Sequence, residues 1–368
     1  MRRIWKRLVI VLAILGSAHF YIWSRFVGAA DLPAPWHAIA TVAVFVLAPS
    51  LPAAAIVMRR LPRERAAPYL WIAYTWFGCA VYLLLAATIT HLLCAVGVLS
   101  PRAAAVTGVA AVAATVGYGL LNVRRGPVVR QVRVPLTNLP ASANGYTIVQ
   151  LTDVHIGSML GARFADEVVA RVNALAPDLI VLTGDVIDGR LSELAPEVEP
   201  LRNLFARDGV FAVTGNHEYY WNAPVWIAHL GSLGIRYLRN EHVTIRSAFS
   251  LAGVDDTTSR AFESDHGEDI PRALAGRDPA LPVVLLAHHP SAVGRAASAG
   301  VDLQLSGHTH GGQLLPLGWL ARLFEPHVAG LARFGATWLY VSEGTGFWGP
   351  PLRVGTTCEI TQLTLACA

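Results

Sequence analysis

The sequence predicts a layered α/β domain carried behind about four membrane-spanning helices. Three observations lead there. The chain of 368 residues is 54% hydrophobic and only 15% charged, where ordinary soluble domains carry about 25% charged residues. Its charge is divided: residues 1–140 hold 14 of the 29 Lys and Arg but only two acids, Asp31 and Glu64, whereas residues 141–368 hold 15 bases and 23 acids. From about residue 140, long apolar runs give way to short Val-, Ile- and Leu-rich runs alternating with helical periods, the pattern of stacked strands and helices. The length suits two units. A basic apolar half beside an acidic half favours a membrane partner and argues against nucleic-acid binding.

The membrane part comes first. Stretches 8–24, 32–58, 66–101 and 103–123 contain no Asp, Glu, Lys or Arg. A spanning helix needs about 20 apolar residues, so spans are expected at 8–24, 36–58, 69–96 and 103–123. Basic segments "MRRIWKR" (1–7), "RRLPRER" (59–65) and "NVRRGPVVRQVR" (122–133) then share one side of the membrane. Positive loops stay inside, which predicts a multi-pass plasma-membrane protein with its large domain in the cytoplasm. Dividing the third stretch into two spans would reverse that side. The double arginine, apolar run and "GSA" at 16–18 also resemble a cleaved secretory signal, but an uncleaved first helix accounts better for the loop charges. His91, inside the third stretch, is expected to be an uncharged imidazole near the interface. The four cysteines, 79, 94, 358 and 367, form no C-x-x-C pair and are expected to be free thiols.

Residues 1–125 are therefore expected to form the membrane part, 126–144 a linker and 145–368 the α/β domain. "YTIVQLTD" reads as a buried strand ending at Asp153 and "FADEVVARVNALA" as an amphipathic helix. "DLIVLTGD", "GVFAVTGN", "PVVLLAHH" and "DLQLSGHTH" read as strands ending near Asp185, Asn216, His288 and His308. Each strand finishes in a ligand-type side chain, and open α/β sheets bind ligands at such ends. One histidine at a strand end is ordinarily a hydrogen-bonded surface residue. Five such endings in one domain are hard to explain that way. Nitrogen and oxygen donors without thiolate suit Mn, Fe or Zn, and a pair of ions clamps the attacking and leaving oxygens of phosphoryl transfer.

The motifs "DVH" (153–155), "GDVID" (184–188), "GNHE" (215–218), "LLAHHP" (285–290) and "GHTHGGQ" (307–313) together resemble those of the calcineurin-like metallophosphoesterases, in particular the membrane-anchored YkuE-like and YaeI-like members. The resemblance covers about residues 145–365. It implies two packed, mostly mixed β-sheets flanked by helices and two divalent metal ions. Asp153, His155 and His310 would hold the first ion, Asn216, His288 and His308 the second, and Asp185 both. A bridging hydroxide would attack phosphorus. His217 would serve the leaving oxygen, with Asp188 orienting it. His288 is preferred over His289, whose role stays open. Glu218 reads as structural. Asp255 and Asp256 either line the site edge or merely make a turn.

The resulting expectation is a membrane-anchored phosphodiesterase or pyrophosphatase. Its substrate is a phosphate ester, either lipid-linked or a soluble nucleotide-type diester. A metal-binding sensor without turnover is the alternative of another class, disfavoured because the bridging acid and catalytic histidine are both present. The segment "QLLPLGWLARLFEPHVAGLARF" (313–334) either packs on the domain or forms an apolar lip toward the membrane. Arg353, in "GTGFWGPPLR", is a candidate bidentate phosphate ligand.

Overall fold

Apolar length in the first third of the chain becomes helix. The computed structural model describes residues 2–262, 266–325 and 327–368. Met1, the side chains of residues 2–8 in the expected N-terminal basic segment, and Pro326 in the expected lip lie outside the described residues. Two compact units result, one of Met1–Leu121 with Gly349–Leu352, the other of Asn122–Trp348 with Arg353–Ala368.

In the first unit α1 (Arg2–Trp23) runs into a π turn ending at Gly28 and is followed by α2 (Ala34–Leu47), α3 (Ser50–Arg60), α4 (Arg63–Ala95) and α5 (Pro101–Arg124). Three helices are long and apolar enough to cross a membrane, or four if α2 and α3 are one broken span. The expected single span at 36–58 is bent by 49° between α2 and α3. Pro49 stands at the break, where its ring removes an amide donor and crowds the preceding turn. The long third stretch is one continuous helix, α4. The buried face of α5 combines the small residues Ala104, Ala105, Gly108 and Gly119 with Val112 and Val116, and the small ones let helix backbones approach closely as they do in lipid. Val9, Ile14, Phe20, Ile72, Ile89 and Leu121 are exposed, which suits hydrocarbon rather than water. Two of the histidines in these helices are hydrogen-bonded: Trp76 Nε1 donates to His19 Nε2 at 3.1 Å, and His91 Nδ1 lies 3.1 Å from the Tyr21 hydroxyl.

The second unit is an α/β sandwich. Its chain order is β1 (Val128–Leu136), β2 (Thr147–Leu151), β3 (Ile156–Gly157), α6 (Ala162–Ala174), β4 (Leu179–Thr183), β5 (Ile187–Asp188), α7 (Leu191–Val198), β6 (Val210–Val213), α8 (Asn216–Tyr220), α9 (Ala223–Ser232) and β7 (Ile235–Tyr237). Then come β8 (Glu241–Ile245), β9 (Phe249–Gly253), α10 (Ile270–Ala273), β10 (Val283–Leu286), α11 (Val293–Ser298), β11 (Leu303–Ser306), β12 (Gly330–Phe334), β13 (Thr337–Val341) and β14 (Glu359–Cys367). One sheet has the order β1-β14-β2-β4-β6-β7 and the other β12-β13-β11-β10-β9-β8. Both are mixed: β2, β4, β6 and β7 run parallel, as do β9, β10, β11 and β13, with antiparallel partners toward the edges.

Side chains alternate along each strand, and both faces are apolar. Ile148, Leu179, Val181, Phe211 and Val213 pack between the sheets with Leu251, Val284, Leu286, Leu303 and Leu305. Their neighbours Val149, Ile180, Leu182 and Ala212 face the other way, onto Val168 and Val172 of α6 and Trp226 and Leu230 of α9. Full burial of one such aliphatic side chain contributes about 1.5–3 kcal/mol. The second sheet is backed similarly by Ile270 and Ala273 of α10 and Ala296 of α11. Residues 126–144, expected as a linker, contain β1, which pairs in parallel with all of β14. The alternation Val132, Val134, Leu136 turns one face of β1 inward, and Val134 and Leu136 join the inter-sheet core. The expected basic segment 122–133 is partly spent there, since Arg130 Nε lies 3.2 Å from Glu359 Oε2. All four cysteines are free.

Candidate metal centre

The parallel strands of both sheets end at a common edge, and their C-terminal loops are tied together. Asp153 N donates to Gly184 O at 3.0 Å, His155 N to Asp185 O at 3.1 Å, and Gly307 N to His288 O at 3.0 Å. The two-residue strands β3 and β5 pair directly, Ile156 with Ile187 and Gly157 with Asp188. Five candidate ligand residues sit in the left-handed region: Asp153 (φ 51°), His155 (50°), Asp185 (53°), His308 (70°) and His310 (51°). Each costs on the order of 1 kcal/mol for a residue with a Cβ. The tight turns therefore aim side chains inward at the expense of backbone strain. Gly184, at φ 94°, closes the approach between two of these loops: a Cβ there would meet His288 Nδ1 at 2.6 Å and Gly215 N at 2.7 Å.

Donor atoms of the residues proposed from the sequence gather in two adjoining groups, linked by a third made of His155, Asp185 and His217. Asp153, His155 and His310 form one, and Asp185, His288 and His308 the other, with the donor atoms of each group within 4.8 Å of one another. Asp185 faces both, its Oδ2 lying 3.3 Å from His288 Nε2 and 3.9 Å from both His155 Nε2 and His217 Nε2. His155 Nε2 and His310 Nε2 are 3.1 Å apart. Asn216 Oδ1 is 3.1 Å from His308 Nδ1, adding a neutral oxygen to the second group. All seven residues proposed from the sequence thus come together.

Surrounding groups fix the orientation of these side chains. Asp153 Oδ2 accepts from Thr152 Oγ1 at 2.7 Å and from His308 N at 3.0 Å. His217 N donates to Asp185 Oδ1 at 2.8 Å. His288 Nδ1 lies 2.7 Å from the Thr183 carbonyl. Only a protonated nitrogen bonds a carbonyl, so Nδ1 carries the hydrogen and Nε2 faces Asp185. Glu218 gathers three backbone amides, those of Asp185 (3.0 Å), Val186 (2.8 Å) and Gly215 (2.6 Å), and so joins the GDVID and GNHE loops.

The donor set fits two divalent cations. It supplies three carboxylate or amide oxygen residues and four imidazoles without a thiolate, and His288 Nε2, which faces Asp185, is buried with no hydrogen-bond partner. Buried polar atoms are seldom left so. Burial, and for His310 also the Arg353 guanidinium, lowers the imidazole pKa: to about 3 for His155 and His308, and well below the ordinary value for His310. Neutral rings are what metal binding requires. Burial pushes the Asp185 carboxyl up, but His288, His217 and His155 outweigh it and hold Asp185 well below the usual range. Asp185 in turn favours a proton on His288 despite burial, and a cation would compete with that proton for the same nitrogen. His217 differs from the neutral rings: burial lowers its pKa, but Asp185 and Asp188 override this and raise it to about 9. Asp188 Oδ1 lies 3.2 Å from His217 Nδ1 and accepts a 2.9 Å bond from Trp221 Nε1.

Other side chains have places the sequence did not reveal. Arg353, expected as a phosphate ligand, is 0% exposed. Its donors go to the carbonyls of His310 (2.7 Å), Gly344 (3.3 Å) and Gly346 (2.5 Å), with Nη2 3.1 Å from His310 Nδ1. It braces a candidate ligand and has no face for substrate. Asp255 is held bidentately by Arg239 at 3.0 and 3.1 Å, whereas Asp256 lies 3.2 Å from His289. Trp221 was missed: it lies three residues beyond GNHE, and an aromatic side chain there carries no ligand signal. So was Tyr220, whose ring lies 5.1 Å from that of His217; Trp348, one of the two aromatics of "GTGFWGPPLR", lies 5.7 Å from it. Gln313, the last residue of GHTHGGQ, holds Trp348 through both backbone groups.

Residues 146–312 match the family model described as Calcineurin-like phosphoesterase. A "Transmembrane protein with metallophosphoesterase domain" of Bos taurus is 43% identical over 264 residues, covering 68% of this chain and 60% of that protein. The chain thus spans about 60% of the length of this relative. A metallophosphoesterase of Aquifex aeolicus is 34% identical over 59% of this chain and 84% of its own length. The metallophosphoesterase YkuE of Bacillus subtilis is 30% identical over 62% of this chain and 81% of its own. With the motif-bearing strand ends, the two mixed sheets and these matches in agreement, the chain belongs to the calcineurin-like metallophosphoesterases.

Proposed function

We propose that this protein is a membrane-anchored, dinuclear-metal phosphoesterase that cleaves a phosphodiester or pyrophosphate bond. The observation that carries the reading is Asp185, whose Oδ2 lies 3.3–3.9 Å from ring nitrogens of His288, His155 and His217. Asp153, His155 and His310 would hold one ion and Asn216, His288 and His308 the other, with Asp185 shared. Bound there, two ions such as Mn, Fe or Zn would provide a hydroxide nucleophile near neutral pH and charge neutralisation at the phosphoryl group. His217, with Asp188 at its Nδ1, would give its Nε2 proton to the departing oxygen. Asp188 and Trp221 fix the ring for that transfer. The test is hydrolysis of bis-p-nitrophenyl phosphate by the detergent-purified full chain, with Mn²⁺ and with chelator. Turnover should need the metal and fall at least about a hundredfold in Asp185→Ala. Equal rates with chelator, or in the variant, would sink the reading.

A lipid-linked substrate is the finer proposal, with the catalytic domain on the cytoplasmic side. Its support is a lip on the catalytic unit, where Trp319, Leu320, Leu323 and Phe324 are 58%, 57%, 74% and 83% exposed rather than packed on the domain. Soluble aryl or nucleotide diesters are favoured instead by the half-exposed rings of Tyr220 and Trp348 beside His217, which suit stacking on a base. Comparing kcat/KM for a lipid diphosphate in mixed micelles with that for nucleotide diesters separates the two.

A further inference from the structure

We propose that the protein binds a third divalent cation at the rim of the metal centre, on His289, Glu325 and a ring nitrogen of His308, with Asp256 as the outer carboxylate of His289. The inference builds on the dinuclear reading, because His308 belongs to both groups. Donor atoms of His289, His308 and Glu325 all lie within 4.8 Å of one another. The His289 ring stands at 3.8 Å from the His308 ring, between centroids.

The two nitrogens of His289 meet different carboxylates. Nε2 lies 3.2 Å from Asp256 Oδ2, and Nδ1 lies 3.9 Å from Glu325 Oε1. The first spacing is contact distance. The second exceeds any hydrogen bond, but matches two donors sharing one ion at about 2.0–2.2 Å from each. A ligating imidazole commonly presents its other nitrogen to a carboxylate, which fixes the ring and raises its basicity. Asp256 is built for that part. Its Oδ1 accepts from Thr258 N at 2.8 Å and its own amide donates to Thr214 Oγ1 at 3.0 Å, so the carboxylate is anchored in the loop after β9. Glu325 Oε2 is buried with no hydrogen-bond partner. A carboxylate oxygen so placed is costly unless charge compensates it. His308 Nδ1 faces Asn216 at 3.1 Å; a neutral imidazole has a single free lone pair, so taking this cation on the other nitrogen while Nδ1 serves the second ion releases the ring proton to solvent and leaves a bridging imidazolate.

Metal content of the full-length, detergent-purified protein tests this. The protein is equilibrated with Mn²⁺ or Zn²⁺, desalted, and its metal counted by mass spectrometry against protein by amino-acid analysis. About three ions per chain are expected, and about two in His289→Asn and in Glu325→Gln. Asp256→Asn should retain the third ion with about 10–100-fold weaker affinity. Two variants guard against misfolding in one, with near-ultraviolet circular dichroism as the check. Two ions in the wild type and two in both variants would overturn the third site while leaving the pair intact. An Asp185→Asn variant that keeps the full wild-type complement would instead overturn the dinuclear reading.

Discussion

His217 stands between two carboxylates that serve it differently. Asp185 faces its Nε2 at 3.9 Å and Asp188 its Nδ1 at 3.2 Å. Together they raise the ring to about 9 against burial, so the acid form is populated below that pH and lost as pH rises through it. Removing one carboxylate charge must lower that value. In Asp188→Asn the basic limb of the kcat/KM–pH profile should therefore move to lower pH, and kcat should drop about 10²–10⁴-fold if proton donation is lost, with bound metal unchanged. An unmoved limb would remove Asp188 from its positioning role. The motif residues were legible in the sequence because each ends an apolar run, so chemistry and strand boundary coincide. Trp221, Glu325 and Arg353 were not, because their roles depend on which loops fold against one another. Arg353 shows the limit most clearly: its sequence context suggested a phosphate ligand, and its surroundings of carbonyls turned it inward.

At the scale of elements, the short buried runs announced β2, β4, β6, β10 and β11, since strands covered on both faces read as continuous Val, Ile and Leu. β1 was harder to see. Its Arg130, Gln131 and Arg133 lie among apolar residues, giving the look of a charged connector. Yet Leu136 is buried in the inter-sheet core. Leu136→Ala should cost about 2–5 kcal/mol, read as a lower urea midpoint of the catalytic unit. A free linker would show no change. The bend between α2 and α3 was hidden for a different reason: hydropathy averages over Pro49, while backbone geometry does not.

For the whole molecule, the side on which the α/β domain lies is set by the spans, and three or four crossings place it oppositely for a fixed N-terminus. Cys367 is an exposed thiol in the catalytic unit, far in sequence from Cys79 and Cys94 of the helices. A membrane-impermeant maleimide should label it only after intact cells are permeabilised if the domain is cytoplasmic. Labelling before permeabilisation would reverse the orientation. The five left-handed ligand residues bear on the molecule as a whole too. A backbone conformation that only glycine adopts freely is held at these positions by side chains chosen for something other than stability. His308→Gly should relieve about 1 kcal/mol of strain and raise the melting temperature by about 2–4 °C, while weakening metal retention. Selection at this edge of the sheets has therefore settled on a less durable protein than the same scaffold allows, and a screen for heat tolerance alone would drift toward variants that outlast the wild type and do nothing.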